Sequence, residues 1–197
     1  NSLLDLVQKT AEDVFIPITV GGGIRSIDDI SKALNSGADK VCINTAAIND
    51  NSLVSRAADK FGSSTIVIAI ESIKQDDGGY QAFTDNGREY TGIDVVEWAK
   101  KIESLGAGEI LLTSVDADGT GKGSDINLIN SVATEINIPL VVHGGVGKVK
   151  DVVDIVSSTN ATAIALGSIL HYDTIKYIKQ SGNDLSAEGN RDFLNSN

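Results

Sequence analysis

The run Ile16-Pro17-Ile18-Thr19-Val20-Gly21-Gly22-Gly23-Ile24 returns in altered form as Ile138-Pro139-Leu140-Val141-Val142-His143-Gly144-Gly145-Val146, at an offset of 122 residues. Each copy is a short β-branched stretch that ends in glycines and leads into an amphipathic segment. That is the pattern of a buried parallel strand, a tight turn and a covering helix. Glycines in such a turn let backbone N–H groups approach an anion closely, and a helix N-terminus behind them adds a favourable dipole. Two copies in one chain point to a ligand with two phosphates.

The offset holds beyond the glycines. Between Ile16 to Ile48 and Ile138 to Leu170, seven positions are identical, so two consecutive strand-helix units match two others. Strands are expected at Phe15 to Val20, Lys40 to Ile43, Ser64 to Glu71, Glu109 to Ser114, Pro139 to His143 and Ala161 to Leu166. Helices are expected to begin near Ser26, Ser52, Ile93, Asp125, Lys148 and Asp173, after an amphipathic segment from Leu3 to Val14. Ser26 followed by Asp29 reads as a capping box. Gly78-Gly79 and Asn86-Gly87 flank Tyr80 to Asp85, a hairpin inserted after the third strand.

Strands alternating with helices require a parallel sheet with right-handed crossovers. Six units fit an open doubly wound sheet or an α/β (β/α)8 TIM barrel that lacks its first two strands. The doubling favours the barrel, built from two related halves. In that barrel the units are strands three to eight, and the glycine turns follow strands three and seven on the C-terminal face, where active sites of this fold lie. Residues 1–197 are read as one partial barrel domain, with Ser181 to Asn197 polar enough to fray.

A formal charge of −11 and a pI of about 4.5 disfavour nucleic acid and anionic membrane surfaces as partners. Any anionic ligand must then be held locally, by backbone donors. No apolar run approaches the roughly 18 residues of a membrane span. The single cysteine, Cys42, cannot form an internal disulfide, and no signal peptide is visible, so a cytoplasmic setting is expected. Cys42 itself reads as a small apolar residue within its strand. The reading calls for no metal and no cofactor.

Five segments carry a more specific likeness: Val20 to Arg25, Gly37 to Ala47, Thr91 to Lys100, Gly106 to Ser114 and Asp116 to Thr120. Together they resemble the cyclase subunits of imidazole glycerol phosphate synthase, over a span from Leu3 to about Lys179. The barrel isomerase of the preceding pathway step shares the half-barrel repeat and both phosphate sites. Ala46-Ala47 and the run from Gly106 to Ser114 are closer to the cyclase.

The resemblance implies a barrel of the ribulose-phosphate-binding type and a lyase-type ring closure in histidine biosynthesis. Ammonia attacks a bis-phosphorylated ribulosyl formimino carboxamide ribonucleotide, yielding imidazole glycerol phosphate and an aminoimidazole carboxamide ribotide. A glutaminase subunit supplies the ammonia as the partner in a heterodimer. Two carboxylates do the acid-base work from separate strands. One lies on the first strand, which this chain does not contain, so the isolated chain is expected to be inactive. The other closes the family's fifth strand as Ile-Asp, where this chain has Ile70-Glu71.

Carried over residue by residue, Gly22, Gly23, Asn44 and Thr45 match one phosphate site. Gly119, Gly144, Gly145, Gly167 and Ser168 match the other, with Thr113, Asp118 and Thr120 lining the mouth. His143 stands where the family has a small serine, and either adds a donor to the second phosphate or intrudes on it. His171 matches a family histidine and reads as structural. Lys40 and Glu109 match a charged ring at the ammonia entrance, and neighbouring Asp39 faces the glutaminase. Two alternatives stay open: a cyclase-like paralogue that passes ammonia to a sugar amidotransferase in surface-polysaccharide synthesis, and a non-catalytic barrel that binds phosphorylated ligands or scaffolds a glutaminase.

Overall fold

The computed structural model describes residues 3–180; the fraying expected for Ser181 to Asn197 lies outside the described residues. In chain order the elements are α1 (Leu3–Asp13), β1 (Thr19–Gly21), α2 (Ile27–Asn35), β2 (Lys40–Ile43), α3 (Thr45–Asn49), α4 (Ser52–Phe61) and β3 (Ile66–Lys74). Next come β4 (Tyr80–Thr84), β5 (Glu89–Asp94), α5 (Val95–Ser104), β6 (Glu109–Ser114), α6 (Ile126–Ala133), β7 (Leu140–His143), α7 (Val149–Ser158), β8 (Ala163–Ala165) and α8 (Ser168–Gln180). The main sheet runs β1-β2-β3-β6-β7-β8 with every neighbouring pair parallel. Among the described residues β1 and β8 each have a neighbour on one side, so the sheet is a partial (β/α) barrel, curled but not closed.

Burial alternates along these strands. On β6 the residues Ile110, Leu112 and Ser114 are buried, while Glu109, Leu111 and Thr113 are half-buried, and β2 and β7 follow the same period of two. The buried set faces the helices, because side chains of a strand point alternately to its two faces. Ile68, Ile70, Ile110, Leu112 and Val142 form one core with Ile30 of α2, Leu53 and Ala57 of α4, Trp98 and Ile102 of α5, and Leu128 and Val132 of α6. Trp98 is thus a packing residue. The opposite set lines the concave face, which carries the polar residues of interest: Lys40, Cys42, Glu71, Glu109, Thr113 and His143.

The repeat is legible in hydrogen bonds as well as in residues. Asp29 Oδ2 accepts from Arg25 N at 3.0 Å and from the Ser26 hydroxyl at 2.8 Å. At the offset of 122, Asp151 Oδ2 accepts from Gly147 N at 2.9 Å and Lys148 N at 3.1 Å. In both halves a carboxylate in the first turn of the helix ties down the backbone just ahead of it, satisfying donors that a helix start leaves unpaired. Ser26 also accepts from Asp29 N at 3.2 Å, completing the expected cap of α2.

Three expectations need correction. The first strand begins at Thr19, not Phe15. Phe15 and Ile16 are 94% and 72% exposed, Pro17 has no N–H to give a ladder, and the neighbouring chain first pairs at Ile18, whose carbonyl accepts from Asp39 N and Lys40 N. The third strand continues past Glu71 to Lys74, because β4 pairs antiparallel along Glu71 to Lys74 and extends it. The last helix starts at Ser168, directly behind β8, and not near Asp173. The short helix α3, which follows Asn44 without a linker, was not anticipated.

Candidate functional site

Because all six strands of the main sheet are parallel, the turns after β1, β2, β7 and β8 open on the same edge. Gly22 and Gly23 follow β1 with φ of 93° and 71°, and Gly144 and Gly145 follow β7 with φ of 102° and 92°. These are left-handed conformations that a Cβ disfavours. A side chain at Gly22 or Gly23 would meet no atom within 4 Å, so the first turn faces open space. The second is packed: a Cβ on Gly145 would lie 2.1 Å from the Gly123 carbonyl oxygen, and one on Gly144 would lie 2.6 Å from that of Ser114.

The first turn borders a cavity of about 330 Å³ lined by Gly21, Gly22, Gly23, Asn44, Thr45, Cys42, Glu71, Asp85 and Asn86, among others. The structure therefore brings together Gly22, Gly23, Asn44, Thr45 and Glu71. Glu71 Oε2 accepts from Gly87 N at 2.9 Å, so the turn of the β4–β5 hairpin is folded over the carboxylate. That turn takes Asp85 and Asn86 through φ of 53° and 58°, a conformation that Asn and Asp tolerate best after glycine. Asn44 Nδ2 donates to the Phe83 carbonyl at 3.4 Å, while its Oδ1 is buried without a hydrogen bond. The place of Asp85 and Asn86 in the cavity wall was missed from sequence, although Asn86-Gly87 had marked the turn.

Cys42 shares this cavity and is half-buried. Burial pushes its thiol up to about 11, and the Glu109 carboxylate, then Glu71, oppose the thiolate further. Raised from 9.0 to about 11, the thiol carries about a hundredfold less thiolate at pH 8. Alkylation by iodoacetamide at pH 8 is therefore expected to be at least tenfold slower in the folded protein than after unfolding in urea. Equal rates would show that the thiol is not held in this environment.

The second turn meets β8 and α8 at a small pocket lined by Asp118, His143, Gly144, Gly145, Gly167 and Ser168, together with apolar neighbours. Its carbonyls are already engaged: Gly123 N donates to Gly145 O, and the Ser124 hydroxyl to Gly144 O, both at 2.8 Å. Thr113 lines neither pocket but lies in the row between them, since Glu71 pairs with Thr113 and Thr113 with His143 in the strand register. An acid, a hydroxyl and an imidazole thus occupy one row across β3, β6 and β7. Gly119 follows Asp118 with φ of 72°. Thr120 does not join this pocket. Its hydroxyl donates to the Ala117 carbonyl at 2.7 Å, and it lines a separate surface depression with Lys74, Asp116 and Lys122.

At the opposite edge of the sheet, Lys40 reaches past β3 and its Nζ donates to Glu109 Oε2 at 2.6 Å. Asp39 is exposed, and its Oδ2 accepts from Ile18 N at 2.7 Å, anchoring the start of β1. No helix among the described residues is long and apolar enough to cross a membrane.

Residues 1–176 match the family described as histidine biosynthesis protein. The chain is 46% identical over 189 residues to the imidazole glycerol phosphate synthase subunit HisF of Clostridium botulinum strain Okra (type B1), an alignment that covers 95% of this chain and 74% of that protein. The subunits of the same name from the Kyoto (type A2) and Langeland (type F) strains are also 46% identical, over 189 and 188 residues, with the same coverage. The chain therefore spans about three quarters of the length of these relatives, and it belongs to the histidine biosynthesis protein family.

Proposed function

We propose that this chain carries the cyclase step of histidine biosynthesis, in which ammonia closes the imidazole ring on a bis-phosphorylated ribulosyl formimino ribonucleotide, releasing imidazole glycerol phosphate and an aminoimidazole carboxamide ribotide. The observation that carries this reading is the pair of repeat-related glycine turns on one edge of a parallel sheet, with the row Glu71, Thr113, His143 running between them. Such a layout suits an extended ligand with a phosphate at each end and its reacting centre over the concave face. Gly22, Gly23, Asn44 and Thr45 hold one phosphate; Gly119, Gly144, Gly145, Gly167 and Ser168 hold the other. Asp118 and Thr113 face the ligand between them, and Thr120 shapes the β6–α6 loop.

Ring closure needs one group to withdraw a proton from the attacking nitrogen and another to deliver one to the departing fragment. Glu71 serves as one of the two. Its tie to Gly87 N restrains one carboxylate oxygen at the wall of the first cavity. Ammonia enters from the opposite edge, past the Lys40–Glu109 pair, where Asp39 faces a glutaminase subunit. The direct test is ammonium-dependent formation of imidazole glycerol phosphate by the full-length protein. Saturable turnover is expected; substrate that binds yet yields no product with ammonium would overturn the proposal.

A further inference from the structure

The two halves of the chain provide their own comparison. Position 21 is glycine, and its counterpart at the offset of 122 is His143. The turns behind them follow similar left-handed courses, yet about 330 Å³ is open beside the first and only about 10 Å³ beside the second. Part of that difference comes from the packing of Gly121 and Gly123 against the second turn. The imidazole stands in the same space. Its Nδ1 lies 3.4 Å from Thr113 Oγ1, its Nε2 lies 3.7 Å from Asp118 Oδ1, and a Cβ on Gly167 would be 3.6 Å from Nε2. The ring therefore reaches from the end of β7 to the turn behind β8, across the space those glycines frame. At position 21 a Cβ would be 3.1 Å from that of Cys42, a tight contact that asks the neighbouring strand to give by a few tenths of an ångström.

We infer that His143 is both the gate and a ligand of the second anion site. In the ligand-free protein the ring fills the site with Asp118 as its acidic neighbour; an entering phosphate oxygen takes Asp118's place beside Nε2, and the ring moves off Gly167. The inference rests on the two-phosphate reading above. Among the described residues lining this pocket, Asp118 is the one carboxylate, with the Ser168 hydroxyl and apolar groups around it. Thr113 faces the ring from β6, Glu71 lies one strand further along the row, and the Tyr172 hydroxyl stands near Gly119. Among the described residues lining the pocket, the imidazole and the Ser168 hydroxyl are the side-chain hydrogen-bonding groups an anion can meet. Removing the imidazole should therefore weaken anion binding at this site. Among the described residues the first site has no imidazole in its wall, so its affinity should not change with that removal.

Sulfate is a suitable probe, because it is a tetrahedral dianion close to a phosphate group in size. The chain contains two histidines, His143 and His171, whose ring signals can be followed separately by NMR while the Gly145 and Ser168 amides report occupancy. Sulfate is expected to shift the His143 ring and not that of His171. Its dissociation constant, read at Gly145, should rise about tenfold or more in His143→Ser, as expected for loss of a charge-assisted hydrogen bond. Asp118→Asn, which removes the ring's acidic neighbour, should tighten binding. A Gly145 shift that leaves the His143 ring unmoved would overturn the inference, as would equal dissociation constants for the wild type and His143→Ser, or no response of either group to sulfate. Any of these with ring closure intact would leave the proposed function standing; loss of ring closure with the sulfate profile intact would strike the function alone.

Discussion

Glu71→Gln is expected to lower kcat by about 100-fold or more in the full-length protein while leaving KM nearly unchanged. Glutamine keeps the length and planarity of the side chain, and its amide oxygen can still accept from Gly87 N, which the carboxylate does at 2.9 Å. The hairpin turn over the first pocket is thereby retained, and what disappears is a group able to take up and return a proton. Glu71→Asp, which installs the residue usual in the cyclase family, should retain or raise activity. Equal rates for the wild type and Glu71→Gln would remove Glu71 from the chemistry, whatever its place in the wall of the cavity.

The second large effect concerns stability and separates the two glycine turns. Gly145→Ala is expected to cost about 3 kcal/mol or more, combining left-handed backbone strain with a Cβ driven into a packed carbonyl. That Cβ would sit 2.1 Å from Gly123 O, at φ of 92°. Gly22→Ala meets no atom within 4 Å and bears the conformational term alone, about 1–2 kcal/mol. Urea unfolding midpoints of the two variants should differ accordingly. Equal losses would mean that the loop from Ser114 to Gly123 is not seated on the second turn as described.

Much of this arrangement is written locally in the chain. The strands Lys40–Ile43 and Glu109–Ser114 have the expected bounds, because each is a short alternating run whose start is set by the tight turn after a helix. The glycine pairs are legible because their φ values leave few alternatives. What escaped was settled by long-range contacts. Nothing near Glu71 in sequence reveals that a turn at Asp85 to Gly87 would fold over it, nor that pairing with β4 would carry its strand on to Lys74. Thr120 belongs to the same motif as Asp118, yet its hydroxyl is turned back to the Ala117 carbonyl within the loop. The near-closure of the second pocket likewise depends on where one imidazole packs, which no local pattern encodes.

A structure of the full-length protein with the bis-phosphorylated substrate bound in the absence of ammonia tests the two-ended site most directly. One phosphate is expected within hydrogen-bonding distance of backbone N–H groups at Gly23 and Thr45, the other at Gly145 and Ser168, with the Glu71 carboxylate facing the ligand between them. Both phosphates at a single turn, or a ligand bound away from the edge that the two turns share, would contradict a site built from the two halves of the repeat.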